Sequence, residues 1–362
     1  MSETSRRPDV RVLIADDSLV VRRVLKQMLE SEQGIRVVGM AESGAEAVEL
    51  TARLRPDLVT MDLMMPGMDG LEATARIMAQ HPTPVLFFSS YFDGEGLRSR
   101  FEALAAGALD VLEKPTLVPD GRWDAHAGAL VRKVKALAQV PVVAHIRGSH
   151  VVARQRPRSL PPPTASRRAV QVVAIGASSG GPRVVDEILS AMPQGFELAV
   201  VVVQHMAEGF MPGLIAWLQP RCPLPVKVAE EGDAILAGEV LFAPDSAHLV
   251  VMPTGRVHLS GADPVNGLRP SVDVTFASIA SVYRARAAGV VLTGMGSDGA
   301  AGLLAIRDAG GITMVQDEAS CVVFGMPRAA IQRGAAERVL SPAGIVDALK
   351  TLHRERQRSE PR

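Results

Sequence analysis

The chain has 362 residues, of which 47% are hydrophobic and 22% are charged, as is typical of a globular protein with two or three domains. Lys plus Arg and Asp plus Glu both number 39, so the zero net charge gives no general support for binding to nucleic acid or an acidic membrane. Cys222 and Cys321 lack metal-ligand spacing, which favours packed thiols. No apolar run approaches the roughly 18 residues of a membrane span, and the N-terminus lacks a signal peptide's apolar core. We therefore predict a soluble, cytoplasmic protein.

The pattern of apolar and polar residues over 10–139 predicts an alternating series of strands and helices. The predicted strands are 10–15, 35–40, 58–61, 84–88 and 108–112. The predicted helices are 19–30, 43–54, 71–80, 97–106 and 123–139. Such alternation indicates an α/β domain in which helices cover both faces of a parallel sheet.

Polar side chains follow the carboxyl ends of these strands, where open α/β sheets bind their ligands. They are Asp16, Asp17, Asp62, Ser89 and Lys114. Clustered carboxylates repel each other unless a cation joins them, and oxygen ligands favour a hard ion such as Mg²⁺. A lysine would offset the charge of an incoming phosphoryl group, which an aspartate can accept covalently. Each acid alone could be a loop carboxylate or a helix cap, but five such positions in register indicate a site.

These residues make 10–139 resemble a response-regulator receiver domain, which implies a flavodoxin-like, doubly wound parallel sheet. By that resemblance Asp62 is the phosphoacceptor, and it binds Mg²⁺ together with Asp16 and Asp17. Ser89 is the switch hydroxyl and Lys114 contacts the phosphoryl group. The resemblance also implies a histidine kinase as phosphodonor.

The loop Met-Pro-Gly-Met-Asp-Gly at 65–70 is usual for receivers, but two positions depart from the family. Met64, two residues after Asp62, stands where Glu or Asn is frequent, so the phosphoryl lifetime does not carry over. Val111 stands where an aromatic switch residue is frequent, which leaves the side-chain half of the usual switching motion open.

Residues 140–168 are rich in Pro and Arg and contain no Asp or Glu, which predicts an extended linker. A basic run could contact nucleic acid or an acidic surface. Because no aromatic residues interleave to stack on bases, a tether is the preferred interpretation.

The same kind of pattern over residues 169–353 predicts a second α/β domain. Its predicted strands are 169–175, 196–203, 226–230, 240–243, 288–292 and 312–316, with a hairpin at 248–260. Its predicted helices are 183–191, 210–218, 272–283, 300–308, 327–333 and 342–353.

The first of these strands leads into a turn that presents Ser178. The segment Gly-Ala-Ser-Ser-Gly at 176–180 fits the G-x-S-x-G nucleophile pattern, and Pro182 suits the first turn of the following helix. A strand, a tight turn and a helix would place Ser178 at the exposed carboxyl end of the sheet. The alternatives are a loop that merely turns or one that binds phosphate.

Two further strands end at His205 and Asp298, so three side chains can converge on one sheet edge. Histidine can activate a serine at neutral pH, and an acid on its far nitrogen fixes its tautomer. The order Ser, His, Asp differs from that of α/β-hydrolases, which excludes that fold. His248 and Asp273 are the competing base and acid, but their positions on a hairpin strand and in a helix's first turn favour structural roles.

Five separated motifs resemble the CheB family of protein-glutamate methylesterases. They are Gly-Ala-Ser-Ser-Gly-Gly at 176–181, Gln-His-Met at 204–206, Arg-Pro-Ser-Val-Asp at 269–273, Thr-Gly-Met-Gly-Ser-Asp-Gly at 293–299 and Phe-Gly-Met-Pro at 324–327. The resemblance implies a mostly parallel sheet, hydrolysis of glutamyl methyl esters on methyl-accepting chemotaxis proteins, and deamidation of receptor glutamines, giving sensory adaptation. In that reaction Ser178 is the nucleophile, His205 the base and Asp298 its orienting acid, with oxyanion donors near Ser179 and Met295. Ester hydrolysis would use no cofactor.

The two-domain layout leads us to expect that the unphosphorylated receiver covers the Ser178 edge and that phosphorylation exposes it. A binding module with an inactive hydrolase-like domain and a small-molecule esterase are the rival functions. A transcription factor is disfavoured, because no basic helix-turn-helix follows the linker.

Overall fold

The computed structural model describes residues 9–31, 33–89, 108–114, 123–140 and 169–359. The predicted helix at 97–106 and nearly all of the predicted linker lie outside these ranges. The side chain of Ser89 also lies outside the described part of the structure.

The N-terminal sheet is built from five parallel strands in the order β2-β1-β3-β4-β5. The strands are β1 (Val10–Ala15), β2 (Ile35–Ala41), β3 (Leu58–Asp62), β4 (Val85–Ser89) and β5 (Asp110–Glu113). The described helices of this half are α1 (Leu19–Glu30), α2 (Gly44–Leu54), α3 (Gly70–Gln80) and α4 (Trp123–Leu137). The predicted doubly wound parallel sheet is confirmed.

Three helices of this half begin at side chains that cap them. Ser18 accepts a hydrogen bond from the Val21 amide, Ser43 accepts one from Glu46, and Asp69 accepts one from Glu72. Each cap satisfies an amide that has no partner inside its own helix. The caps therefore fix where the chain leaves the carboxyl edge of the sheet.

The C-terminal half contains a seven-stranded sheet in the order β14-β13-β12-β6-β7-β9-β8, and its described pairings are parallel. The strands are β6 (Val172–Ala177), β7 (Ala199–Gln204), β8 (Val226–Val228), β9 (Val240–Phe242), β12 (Ala287–Val291), β13 (Ile312–Gln316) and β14 (Arg338–Leu340). A separate antiparallel hairpin pairs β10 (His248–Val251) with β11 (Val257–Ser260).

Helices pack around this sheet. They are α5 (Gly181–Ser190), α6 (Met211–Leu218), α7 (Val272–Tyr283), α8 (Ala300–Asp308), α9 (Met326–Gln332) and α10 (Pro342–Ser359). Alternate residues of β6 face different cores: Val173 and Ile175 belong to one hydrophobic cluster, and Val172 and Ala174 to another. Burial on both faces explains why this strand reads as a continuous apolar run.

Strand β6 lies between β12 and β7, and the register aligns the ends of all three. Gly176 pairs with Val291 of β12 and with Val203 of β7, while Ala177 pairs with Gln204. The segments that leave these strands therefore start side by side at one edge of the sheet.

The structure differs from the sequence prediction at several element boundaries. Strand β7 begins at Ala199 instead of 196, β8 ends at Val228 instead of 230, and α10 continues to Ser359, past 353. Strand β14 was not predicted; it is a short edge strand whose Val339 is exposed, so it carries little hydrophobic signal. No helix in the described ranges is both long and apolar enough to cross a bilayer.

Candidate active site

Ser178 lies on a tight turn between β6 and α5, as the motif predicted. Its amide donates to the Thr293 carbonyl at 3.0 Å, and its own carbonyl accepts from the Gly181 amide at 2.8 Å. Gly180 has φ of +75°, a left-handed conformation that glycine adopts without strain. The turn leaves Ser178 partly exposed at the carboxyl edge of the sheet.

His205 and Asp298 are in direct contact. His205 Nε2 lies 2.9 Å from Asp298 Oδ2, and the His205 amide donates to the Ala177 carbonyl at 2.9 Å. The two residues are 93 positions apart in the chain but meet because β7 and β12 flank β6. The edge thus brings together two of the three predicted catalytic side chains and places the third on the neighbouring turn.

Asp298 is held by the start of α7. Its Oδ1 accepts from the Ser271 hydroxyl at 2.9 Å and from the Asp273 amide at 3.0 Å, and its Oδ2 accepts from the Val272 amide at 2.7 Å. Burial raises the pKa of Asp298, but the hydrogen bonds from His205 and these amides outweigh it, so the pKa lies below its usual value. Asp298 is therefore ionised at neutral pH.

An ionised Asp298 fixes the tautomer of His205. Because the carboxylate can only accept, Nε2 of His205 carries the proton that joins the pair. Nδ1 is then free to accept a proton, and within the described ranges this buried atom has no hydrogen-bond partner. No hydrogen bond joins the Ser178 hydroxyl to His205 in the described part of the chain, a common feature of active sites without substrate.

His248 and Asp273, the competing base and acid, have structural contacts instead. His248 is almost fully buried, and its Nδ1 accepts from the Ser271 amide at 3.1 Å while Nε2 lies 3.2 Å from the Asp263 carbonyl. Asp273 accepts from the Gly302 amide at 2.7 Å, which holds the first turn of α8. Burial, with the nearby charge of Asp298, raises the pKa of Asp273.

The amides of Ser179 and Met295 border the site without a hydrogen-bond acceptor among the described residues. The loops that carry them are tied together, because the Thr293 hydroxyl donates to the Ser179 carbonyl at 2.9 Å. The Gly294 amide also donates to the Val323 carbonyl at 2.9 Å. Free amides on fixed loops are suited to binding an oxyanion.

Sequence reasoning missed two buried polar residues of this site, Gln204 and Ser271. Gln204 donates hydrogen bonds to the carbonyls of Ser178 and His205, and Ser271 donates to Asp298. Both belong to the motifs named above. Gln204 lies beside the predicted catalytic residue His205, and Ser271 caps the start of α7. A buried polar residue next to a strand end was the available signal.

The receiver residues form a second site at the edge of the N-terminal sheet. Carboxylate oxygens of Asp16, Asp17 and Asp62 lie within 4.8 Å of one another. Lys114 Nζ lies 2.8 Å from both Asp16 Oδ2 and Asp62 Oδ2. Arg22 donates to the carbonyl of Asp16 at 2.6 Å, which fixes the acidic loop.

The carboxylates of this site outnumber its positive charges, so the site can accept a cation. Burial raises the pKa of Asp62 and the Asp16 charge adds to this rise, while Lys114 opposes it without cancelling it. Burial lowers the pKa of Lys114, but its hydrogen bonds to the two carboxylates more than compensate, so it stays charged. Three acids facing one ammonium group fit a hard divalent ion with oxygen ligands.

Comparison with known proteins covers both halves of the chain. The family model described as CheB methylesterase matches residues 173–349, and the one described as response regulator receiver domain matches residues 12–120. A protein-glutamate methylesterase/protein-glutamine glutaminase of Syntrophus aciditrophicus is 44% identical over 95% of this chain and 98% of its own length. One of Anaeromyxobacter dehalogenans is 46% identical over 95% of this chain and 97% of its own. A crystal structure of the Thermotoga maritima CheB methylesterase catalytic domain is 39% identical, covers 51% of this chain and 100% of that one, and has a TM-score of 0.49.

A receiver joined to an α/β domain with a serine, histidine and aspartate edge defines a response regulator whose output is a hydrolase. The chain belongs to the family of protein-glutamate methylesterase/protein-glutamine glutaminases. The family resemblance and the two-part α/β architecture that the motifs indicated are thereby confirmed.

Proposed function

We propose that this protein removes methyl esters from glutamates of methyl-accepting chemotaxis proteins and deamidates glutamines at the same site. The 2.9 Å contact between His205 and Asp298, one strand from Ser178, carries this proposal. The receptor substrate places the reaction in the cytoplasm.

The first half of the reaction forms an acyl-enzyme. Ser178 Oγ attacks the ester carbonyl while His205 Nδ1 takes its proton, and Asp298 stabilises the imidazolium that results. The amides of Ser179 and Met295 donate to the oxyanion, each contributing about 3 kcal/mol to lowering the barrier. Methanol leaves with the proton from His205.

The second half regenerates the enzyme. Water loses a proton to His205 and attacks the acyl carbon, and Ser178 leaves with that proton as the glutamate product is released. A primary amide follows the same route and releases ammonia. Neither path requires a metal or an organic cofactor at the ester.

The receiver controls this activity through phosphorylation of Asp62 by a histidine kinase. Asp16, Asp17 and Asp62 would hold Mg²⁺, which supplies charge neutralisation for the phosphoryl group. Lys114 would contact that group, and Ser89 would act as the switch hydroxyl. We place the receiver at 10–139, the linker at 140–168 and the catalytic domain at 169–353.

Contacts between the halves support control by occlusion. Val322 and Val323 of the catalytic half pack against a hydrophobic cluster of the receiver half that includes Leu25, Leu109 and Val131. A Cβ at Gly180, in the nucleophile turn, would lie 2.5 Å from Val322 Cβ. The receiver therefore touches the segment that borders Ser178, and phosphorylation would loosen this contact.

The test is methanol release from methylated cytoplasmic fragments of chemotaxis receptors. Wild type, Ser178→Ala and a matched Ser190→Ala control are each assayed with and without acetyl phosphate and Mg²⁺. We expect release by wild type and the control, stimulated by phosphodonor, and none by Ser178→Ala. Absence of release despite verified Asp62 phosphorylation would contradict the proposal and favour a phosphorylation-controlled binding module.

A further inference from the structure

Gln204 is the last residue of β7 and directly precedes His205. Its side chain is 1% exposed, and Nε2 donates to the Ser178 carbonyl at 2.9 Å and to the His205 carbonyl at 2.9 Å. One amide group thus joins the main chain of the proposed nucleophile to that of the proposed base.

The hydrogen bonds determine which way the Gln204 amide points. Both neighbours are carbonyl oxygens, which can only accept, so the NH₂ group must face them. The opposite atom, Oε1, is buried and has no partner among the residues the structure describes. A buried acceptor without a partner is unfavourable, so the two donated bonds are what keeps glutamine in this orientation.

Gln204 adds one link beyond the end of the β6–β7 pairing. The last main-chain bond between these strands runs from the His205 amide to the Ala177 carbonyl at 2.9 Å. After it the chains separate, β6 into the Ser178 turn and β7 into the loop after His205. The Gln204 side chain bridges them at the point where the reacting side chains emerge.

The last glycine of the Ser178 motif makes room for this bridge. A Cβ on Gly181 would lie 2.3 Å from Gln204 Oε1 and 2.8 Å from Ala177 Cβ. Gly181 does not have a left-handed φ, so space and not backbone conformation requires glycine there.

We propose that Gln204 is a positioning residue that fixes the separation of Ser178 Oγ and His205 Nδ1. This inference rests on the proposed function, in which that pair starts the reaction. It predicts that loss of the two donated bonds slows the reaction at Ser178 without reducing the number of folded sites.

The experiment measures labelling of Ser178 by a fluorophosphonate in the full-length chain, with acetyl phosphate and Mg²⁺ present. Mass spectrometry gives the labelled residue, the second-order rate constant and the final stoichiometry. Gln204→Met keeps the length of the side chain and removes its donors, whereas Gln204→Glu points an ionised oxygen at two carbonyls. Gln219→Met is the matched control, because Gln219 also joins main-chain groups, those of Leu224 and Val226, away from Ser178.

We expect Gln204→Met to label about 10- to 100-fold more slowly than wild type, because small displacements of reacting groups have effects of that size. The final stoichiometry should stay equal to that of wild type. Gln204→Glu should be labelled still more slowly at pH 8. Its labelling rate relative to that of Gln204→Met should rise as the pH falls, since a protonated carboxyl regains one donor. Gly181→Ala should slow labelling by displacing the Gln204 amide, and Gln219→Met should label as wild type does.

Wild-type rates in Gln204→Met would overturn the inference, as would a loss confined to stoichiometry, which reports unfolding. The inference would also be contradicted if the ratio of the labelling rate constants of Gln204→Glu and Gln204→Met did not change with pH. If wild type is not labelled at Ser178, the proposed nucleophile fails and the role of Gln204 fails with it. Labelled wild type with an unaffected Gln204→Met rejects the inference alone.

Discussion

At the scale of single residues, Asp298 links the chemistry of the site to the stability of its domain. It orients His205 and also accepts the amides that begin α7. Both carboxylate oxygens of Asp298 accept hydrogen bonds. An asparagine has one NH₂ group in place of an oxygen, and this group would face hydrogen-bond donors whichever way the amide is turned. We expect Asp298→Asn to lower the rate of methyl ester hydrolysis about 1,000-fold or more. The same substitution should lower the free energy of unfolding by about 3 kcal/mol at pH 7.

The pH dependence of this stability difference has a defined sign. Because the folded-state pKa of Asp298 is lowered, ionised Asp298 stabilises the fold above its unfolded pKa of about 4. The contribution is lost as the pH falls from there through the folded value. Urea unfolding should therefore show the full difference between wild type and Asp298→Asn at pH 5, and the two proteins should converge in stability as the pH falls below 4. The exposed Asp308→Asn is the control, and a difference that persists undiminished at pH 3 would contradict this account.

The sequence predicted which residue types would meet at the site, but not how they are bonded. Ser178, His205 and Asp298 could be predicted as candidates because each follows an apolar strand. Which imidazole nitrogen faces Asp298 depends on contacts across 93 positions of the chain, and no local pattern encodes them. The same holds for Gln204, whose partners become visible only when β6 and β7 are aligned.

At the scale of elements, α7 and α8 pack closely through a glycine. A Cβ on Gly302 would lie 2.6 Å from Phe276 Cβ and 2.9 Å from the Asp273 carbonyl oxygen. Since the start of α7 holds Asp298, displacement of α8 should reach the catalytic edge.

We predict opposite effects for the same substitution in two helices. Gly302→Ala should lower the free energy of unfolding by about 1–3 kcal/mol through overpacking, and should reduce hydrolysis. Gly344→Ala in α10, where a Cβ meets its nearest neighbour at an ordinary 3.4 Å, should stabilise by up to about 1 kcal/mol. Thermal unfolding and methanol release measure both. Stabilisation by Gly302→Ala would show that the helices can separate without cost.

Central elements were easier to predict than edge elements for a physical reason. Strands β6 and β7 are buried on both faces, so β6 is apolar throughout and β7 is apolar up to Gln204 at its end. Strand β14 lies at the sheet edge with Val339 half exposed, and its three residues give no pattern. The spatial order of the strands also depends on packing between distant segments, which sequence periodicity does not report.

At the scale of the whole molecule, the motifs located both halves and their order, while the contact between them was visible only in the structure. Val322 packs on the receiver cluster and over Gly180 at the same time. Apolar contact of this kind is not encoded by a motif, because any complementary aliphatic surface would serve.

This position gives the last prediction, which concerns control of one half by the other. Val322→Ser should weaken the packing by about 1–2 kcal/mol and shift the closed-to-open equilibrium about 5- to 30-fold toward the open state. Without phosphodonor, methanol release should rise by up to that factor, and stimulation by acetyl phosphate should shrink correspondingly. Val339→Ser, the same change at an exposed position of the catalytic half, should leave both rates as in wild type. If Val322→Ser keeps a low basal rate and full stimulation, the restraint lies elsewhere, because a contact that closes the site cannot be weakened without opening it.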